Sequence, residues 1–256
     1  MNLTAPVYRL YERRLLASLA PVRRPGHIGI ILDGHRRFAR SAGLADYTAS
    51  YRTGMEKFRE FLGWCHELDV PAVTAWVLST ENLDRPAEEL GPYLDVLIGL
   101  FERLPADAAR LGFSVRVIGS LDMLPGPLLR AAKEAQAAAP EGSWQLTIAL
   151  GYGGRQEVVD ACRSLVADLV AEGTAPEELA ARIDEAGVSA HLYNADLPDP
   201  DLVIRTSGEA RLSGFLLWQA AYAEYVFVDP FWPAFRRVDF LRALRDYARR
   251  ERRFGL

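Results

Sequence analysis

Cysteine is nearly absent from these 256 residues. Cys65 and Cys162 are the only two, and they lack the partner spacing of a zinc site, a redox motif or a disulfide framework. Both lie in segments that read as amphipathic helices, as buried thiols. Lysine is as scarce. Only Lys57 and Lys133 occur, so nearly all positive charge is arginine, whose planar guanidinium suits bidentate contact with carboxylates and phosphates. Codon bias of a GC-rich genome is the bland source of that excess. There is no surplus of positive charge: 30 Lys+Arg stand against 34 Asp+Glu, a net charge of -4, which excludes a basic nucleic-acid binder. No long apolar run exists either. The longest stretch without a charged residue, Gly142 to Gly154, carries four glycines and falls well short of the roughly 20 apolar residues of a spanning helix. The protein is expected not to be integral to a membrane. The N-terminal Met1-Asn2-Leu3-Thr4-Ala5-Pro6 lacks the apolar core and cleavage site of a signal peptide, so a cytoplasmic address is expected.

What is present is a large core: half the residues are hydrophobic and a tenth aromatic, and no linker or repeat divides the chain. One domain over 1–256 is expected, with 1–26 as an N-terminal helical extension. Short apolar runs at Ile28–Leu32, Ala72–Leu78, Phe113–Ile118, Gln145–Leu150, Leu202–Ile204 and Tyr225–Val228 read as strands. Helical periodicity separates them at Met55–Leu68, where Phe58, Phe61, Leu62, Cys65 and Leu68 share a face, and near Leu90–Leu104, Pro127–Ala138, Gln156–Ala171 and Val238–Arg252. Strand then helix, repeated, predicts an α/β fold with a mostly parallel central sheet of about six strands surrounded by helices. In such a sheet the site lies beyond the carboxyl ends of the strands.

Three loops there carry polar residues. The first strand ends in Asp33-Gly34-His35-Arg36-Arg37-Phe38-Ala39-Arg40. A carboxylate, a glycine admitting a ligand to the backbone, and arginines opening a helix suit a magnesium-bound diphosphate; an Asp-Gly turn before an arginine-rich helix is the plain alternative. The second strand ends in Ser79-Thr80-Glu81-Asn82-Leu83-Asp84-Arg85-Pro86. Helix capping with Asp84 as N-cap and Pro86 in the first turn explains those two residues, but not Ser79, Asn82 and Arg85. The third runs from Asp201 through Arg205, Arg211 and Ser213 to Gln219, with Glu224 beyond. It reads as a cradle for a second diphosphate, and Glu224, in an apolar stretch, needs a cation or a hydrogen-bonded partner.

These loops, in this order, resemble the cis-prenyltransferase family, the Z-isoprenyl or undecaprenyl diphosphate synthases, from about His27 to Arg253-Phe254-Gly255. The N-terminal Pro6-Val7-Tyr8-Arg9-Leu10-Tyr11-Glu12 and Trp64-Cys65-His66-Glu67 look like actinobacterial short-chain members, the Z-farnesyl diphosphate synthases. The resemblance implies condensation of an allylic diphosphate with isopentenyl diphosphate to a short, ten- or fifteen-carbon product. It implies Mg2+ on Asp33, with Glu224 as the second carboxylate associated with metal. Arg37 and the amides from Gly34 to Arg37 match the allylic diphosphate cradle, beside Arg36, Phe38 and Arg40. Ser79 and Asn82 match the polar loop over the reacting centre, supported by Arg85; Arg205, Arg211 and Ser213 match the isopentenyl diphosphate site. The resemblance also implies a homodimer in which Arg253 and Gly255 reach the partner's site. The chain has no Asp-Asp-x-x-Asp motif, which disfavours trans-prenyl synthases and class I cyclases.

The departures are specific. His35 stands where the family usually has an asparagine thought to help deprotonate isopentenyl diphosphate, so it is either a general base, a donor to phosphate when protonated, or a tolerated polar substitution. Phe38 and Leu83 stand where tryptophan is usual, and Tyr51 where longer-chain members carry histidine. Two further readings follow: head-to-middle condensation of two allylic diphosphates, as in lavandulyl-type synthases, for which His35 is the pertinent change, and a catalytically silent subunit of a heteromeric enzyme. The full retention of Asp33, Arg37, Asn82, Arg205, Arg211, Ser213 and Glu224 favours an active enzyme over the latter.

Overall fold

The computed structural model describes residues 4–19 and 24–250. In chain order these form α1 (Thr4–Leu19), β1 (His27–Ile31), α2 (His35–Ser41), α3 (Thr48–Glu67), β2 (Ala72–Ser79), α4 (Ala87–Leu111), β3 (Phe113–Ile118), α5 (Gly126–Ala138), β4 (Trp144–Tyr152), α6 (Gly154–Ala171), α7 (Pro176–Arg182), α8 (Glu185–Ala190), β5 (Leu202–Arg205), β6 (Glu224–Phe227) and α9 (Arg237–Ala248). The sheet runs β3-β4-β2-β1-β5-β6 and every strand pair is parallel. Helices cover both faces of such a sheet, which is why β1 reads as an uninterrupted apolar run with all five residues buried.

Alternation divides the core. Ile28, Ile30, Leu202 and Ile204 join the large cluster built with α3, α4, α5 and α9, whereas Ile31, Ala149 and Val203 face Tyr152, Phe215 and Leu216 on the other side. From β1 the chain builds β2, β3 and β4 to one side, then crosses to place β5 and β6 on the other. The strand order therefore reverses at β1, and a crevice opens beyond the carboxyl ends of β1 and β5.

Several boundaries differ from the sequence reading. Helix α4 extends from Ala87 to Leu111 through Pro92 and Pro105; its buried face, including Tyr93, Leu97, Leu100, Phe101 and Leu104, outweighs two missing amide donors that sequence rules treat as breaks. Asp84 is not a cap. Pro86 occupies the N-cap of α4 without a side-chain bond, and Ser79 caps the short 3-10 turn at Thr80–Asn82 instead. Helices α7 and α8 were not anticipated, being too short to show a period.

The large cluster is tied together by Phe61 on α3, fully buried against the rings of Trp232, Phe235 and Phe240. Phe61→Ala is expected to cost about 3–5 kcal/mol, read as a lower urea midpoint at unchanged m-value.

Candidate active site

The crevice holds a cavity of ≈ 670 Å³. Asp33 leaves β1 with its backbone fixed from three sides: Thr206 Oγ1 accepts from its N–H at 3.0 Å and donates to its carbonyl at 2.8 Å, and Trp232 N–H donates to the same carbonyl at 2.9 Å. Arg205, the last residue of β5, is 6% exposed at its side chain and meets Asp33 Oδ2 with Nη2 at 2.7 Å. Its Nη1 donates to Arg211 O at 2.5 Å and Ser213 Oγ at 2.8 Å. One guanidinium thus joins the first and third loops. Burial by itself would raise the Asp33 carboxyl, but the hydrogen bond and charge of Arg205, the Ser207 hydroxyl and the charge of Arg37 hold it below the ordinary carboxylate range. Asp33 is ionised at neutral pH.

Gly34 follows with φ 106°, and a Cβ there would lie 2.7 Å from Phe231 Cδ1 and 3.0 Å from Ser207 Cβ. Only glycine turns the chain here. The first helical bond of α2 is Phe38 N–H to Gly34 O, so the amides of His35, Arg36 and Arg37 have no acceptor within the helix. Arg37 lies between loops, donating to Ser207 Oγ at 2.6 Å and Glu209 Oε1 at 2.7 Å, with Nη2 3.5 Å from Asp33 Oδ2. Glu209 also pairs with Arg211 through its other oxygen. A single carboxylate therefore bridges the arginines of the two expected diphosphate sites.

Ser79 Oγ accepts from Asn82 N–H at 3.2 Å. Glu89 on α4 holds Arg85 at 3.2 Å and Arg36 at 3.3 Å, tying the second loop to the first. Away from the arginines the wall is formed by Ile31, Leu32, Tyr51, Trp76, Val77 and Tyr93. Tyr93, Tyr51 and His35 cluster, with ring centroids 4.5 Å apart for the tyrosines and 5.4 Å for His35 and Tyr51; the Tyr93 hydroxyl donates to Val77 O at 2.5 Å.

His35 is buried. Its Nδ1 lies 3.3 Å from the Ser50 carbonyl, which only accepts, so this nitrogen carries the proton and Nε2, with no partner, is a bare acceptor. Gly54 makes room for the ring, since a Cβ there would lie 2.0 Å from His35 Cε1. Burial pushes the imidazole down to about 4, against the Ser50 carbonyl and the Asp33 charge. Of the roles open to His35 in the sequence, donation to phosphate as a cation is thus disfavoured, and a neutral ring with a free lone pair remains.

Asp33, Gly34, His35, Arg36, Arg37, Arg40, Ser79, Asn82, Arg85, Arg205, Arg211 and Ser213 all line the one cavity. Phe38 does not. Glu224 stands apart: it opens β6 in register with Leu202, at the amino end of β5, and bonds Arg250 at 2.8 Å, whereas Asp33 lies beyond the carboxyl end of β1. Within one chain the expected pair of metal carboxylates is not assembled. Position in a sequence motif does not reveal which end of a strand a residue occupies. Arg253 and Gly255 lie outside the described residues. Sequence reasoning missed Glu209, Glu89 and Tyr93, which read as ordinary polar and core residues until the fold brings them to the arginines and the cavity wall.

The prenyltransferase family model, of the undecaprenyl diphosphate synthase type, matches residues 31–255. The chain is 50% identical to isoprenyl transferase 1 of Streptomyces avermitilis over 255 residues, 99% of this chain and 98% of that one. The chain belongs to this prenyltransferase family. It is also 50% identical to the (2Z,6E)-farnesyl diphosphate synthase of Thermobifida fusca over 254 residues, covering 99% of this chain and 98% of the other. Among solved structures, lavandulyl diphosphate synthase from Lavandula x intermedia in complex with dimethylallyl diphosphate superposes with a TM-score of 0.81 at 32% identity, over 91% of this chain and 99% of that one. Among the described residues no helix of this prenyltransferase is long and apolar enough to cross a membrane.

A histidine held down at about 4 favours the folded state when neutral. That stability is fully present above the unfolded value of about 6.5 and is lost as pH falls towards 4, about 3 kcal/mol in all. Buried His27 is also lowered and acts in the same sense; Glu157, raised by burial, acts oppositely. Urea unfolding at pH 7.5, 6 and 5 is expected to show a steeper fall for the wild type than for His35→Asn, in which the Glu157 contribution persists.

Proposed function

We propose that this prenyltransferase condenses dimethylallyl or geranyl diphosphate with isopentenyl diphosphate to a linear ten- or fifteen-carbon Z product. The observation that carries the reading is one cavity lined both by the Asp33–Arg205 pair with Arg37 and by the apolar and aromatic side chains of Ile31, Tyr51, Trp76, Val77 and Tyr93. Cations there receive diphosphate and the wall receives prenyl carbon. The terminal alkene carbon of isopentenyl diphosphate bonds to C1 of the allylic partner, the C1–O bond breaks with release of diphosphate, and one proton leaves to restore the double bond.

Arg37 and the free amides of His35–Arg37 bind the leaving diphosphate. Arg205, Arg211 and Ser213 orient the other one, whose binding takes over the arginine contacts now made by Glu209. Magnesium fits this site as an ion shared with substrate: it is commonly held by one or two carboxylates plus phosphates, and Asp33, held ionised, lines the cavity beside the arginines. Asp33 would hold it, and the ion would supply neutralisation of charge on the departing diphosphate. A homodimer, with Arg253 and Gly255 contributing to the partner's site, belongs to this proposal.

A second reading is supported by His35, which lines the cavity in place of the family's usual asparagine: C1 of one allylic diphosphate bonds to C2 of another, the C1–O bond breaks with release of diphosphate, and one proton leaves, giving a branched head-to-middle product. The likeness to a lavandulyl diphosphate synthase supports it, at lower identity than the farnesyl diphosphate synthase likeness that supports the first.

One assay separates them. The protein with magnesium is incubated with dimethylallyl and geranyl diphosphates, alone and together, with and without isopentenyl diphosphate, and the dephosphorylated product is solved by NMR. A linear Z product that requires isopentenyl diphosphate is expected. A branched product without it establishes the second reading, and no product from any combination overturns both. Tyr93, buried and bonded to Val77 O, is part of the apolar lining of the cavity; Tyr93→Ala is expected to extend the product by one or more five-carbon units, read by chromatography against polyprenol standards.

A further inference from the structure

Arg211 and Ser213 sit on a segment that its own backbone does not favour. Between Thr206 and Ala223, three non-glycine residues have positive φ: Ser207 at 81°, Ser213 at 53° and Leu216 at 45°. L-residues rarely adopt such conformations unless surrounding structure imposes them. The surroundings here are buried and specific. Phe215 stacks on Trp76 at 5.3 Å, and Trp218 Nε1 donates to Ser189 Oγ at 2.9 Å. Gly154, opening α6, lies so close that a Cβ would meet Gly214 O at 2.1 Å.

The centre of this anchorage is Glu157, a wholly buried carboxylate in the first turn of α6 that the condensation chemistry does not use. Its Oε1 accepts from Gln219 Nε2 at 3.0 Å and Tyr193 N–H at 3.1 Å, and its Oε2 accepts from the Tyr152 hydroxyl at 2.5 Å. Tyr193 is fixed in turn by its hydroxyl to Asp160 at 2.6 Å. A carboxyl is buried at this cost only where its bonds hold something in place. What Glu157 holds is the far end of the Arg211 and Ser213 segment, against the end of β4 and the turn at Tyr193.

We propose that Glu157 is a positioning residue for the third loop, setting the affinity of the diphosphate bound by Arg205, Arg211 and Ser213 without touching it. The inference rests on reading that loop as the isopentenyl diphosphate side of the site. The allylic side leans on the third loop at its β5 end, through Thr206, Ser207 and Glu209, whereas Glu157 holds the other end at Gln219, so the loss of Glu157 acts more strongly on the isopentenyl diphosphate side. The carboxylate need not be charged for this. An amide at position 157 keeps an oxygen to accept from Gln219 and Tyr193.

The test is calorimetric binding, in magnesium, of isopentenyl diphosphate and of geranyl thiodiphosphate, an inert allylic analogue. Glu157→Ala and Gln219→Ala are expected to weaken isopentenyl diphosphate about tenfold or more and the allylic analogue less than about threefold, since small displacements of binding groups carry costs of this order. The double variant is expected to be no worse than Glu157→Ala alone, because both remove one link. Glu157→Gln is expected to bind like the wild type. Equal weakening of both ligands, or unchanged isopentenyl diphosphate binding in variants that keep their near-UV circular dichroism, overturns the proposal; if Glu157→Ala does not fold, Gln219→Ala decides. Turnover is measured in parallel. A wild type that binds both ligands but forms no product refutes prenyl condensation, while the split between the two affinities still decides the role of Glu157.

Discussion

Everything at the crevice depends on one contact, the 2.7 Å ion pair between Asp33 at the end of β1 and Arg205 at the end of β5. These strands are neighbours at the point where strand order reverses, so the pair links the carboxyl ends of β1 and β5 at the crevice. A nearly buried guanidinium is costly unless its donors are satisfied. Arg205 meets that demand at Nη1 and Nη2 by binding Asp33, the Arg211 carbonyl and the Ser213 hydroxyl, and in doing so it places the third loop opposite the first, while its buried Nε has no protein partner. The pair also keeps Asp33 ionised, which is the state a cation or a cationic cradle needs.

Polarity is sharply divided within the cavity. On one side arginines face each other across Glu209, a partly exposed carboxylate that pairs with both Arg37 and Arg211. On the other, Tyr51, Tyr93 and His35 form a buried cluster in which Nε2 of His35 and the Tyr51 hydroxyl have no hydrogen-bond partner. Unpartnered polar atoms in an interior cost free energy.

Much of this was legible in the residues. The strand runs showed because a parallel sheet buried on both faces leaves uninterrupted apolar segments, and the three loops stood out as polar clusters at strand ends. Asp33, Gly34, Arg37 and Arg205 were readable for that reason. The span of α4 was not, since Pro92 and Pro105 interrupt its local signal while packing sustains it. The position of Glu224 at the amino end of β5 was not legible, because a motif conveys order along the chain and not the end of the sheet at which a side chain arrives. Glu209 and Glu157 escaped notice because their partners are remote: Glu157 meets Gln219, 62 positions away.

The amino-acid sequence by itself determined the class of fold and the strand-end loops that carry charge, because both are encoded in local periodicity and short-range order, and the residues of those loops carried the resemblance to prenyltransferases. Only the tertiary structure decided that the loops share one cavity, that His35 is neutral with Nε2 bare, that Glu224 lies at the other end of the sheet, and that Glu157 anchors the third loop. Those outcomes depend on burial and on contacts between residues distant along the chain. Desolvation and hydrogen-bond geometry exist only once the sheet has brought those residues together.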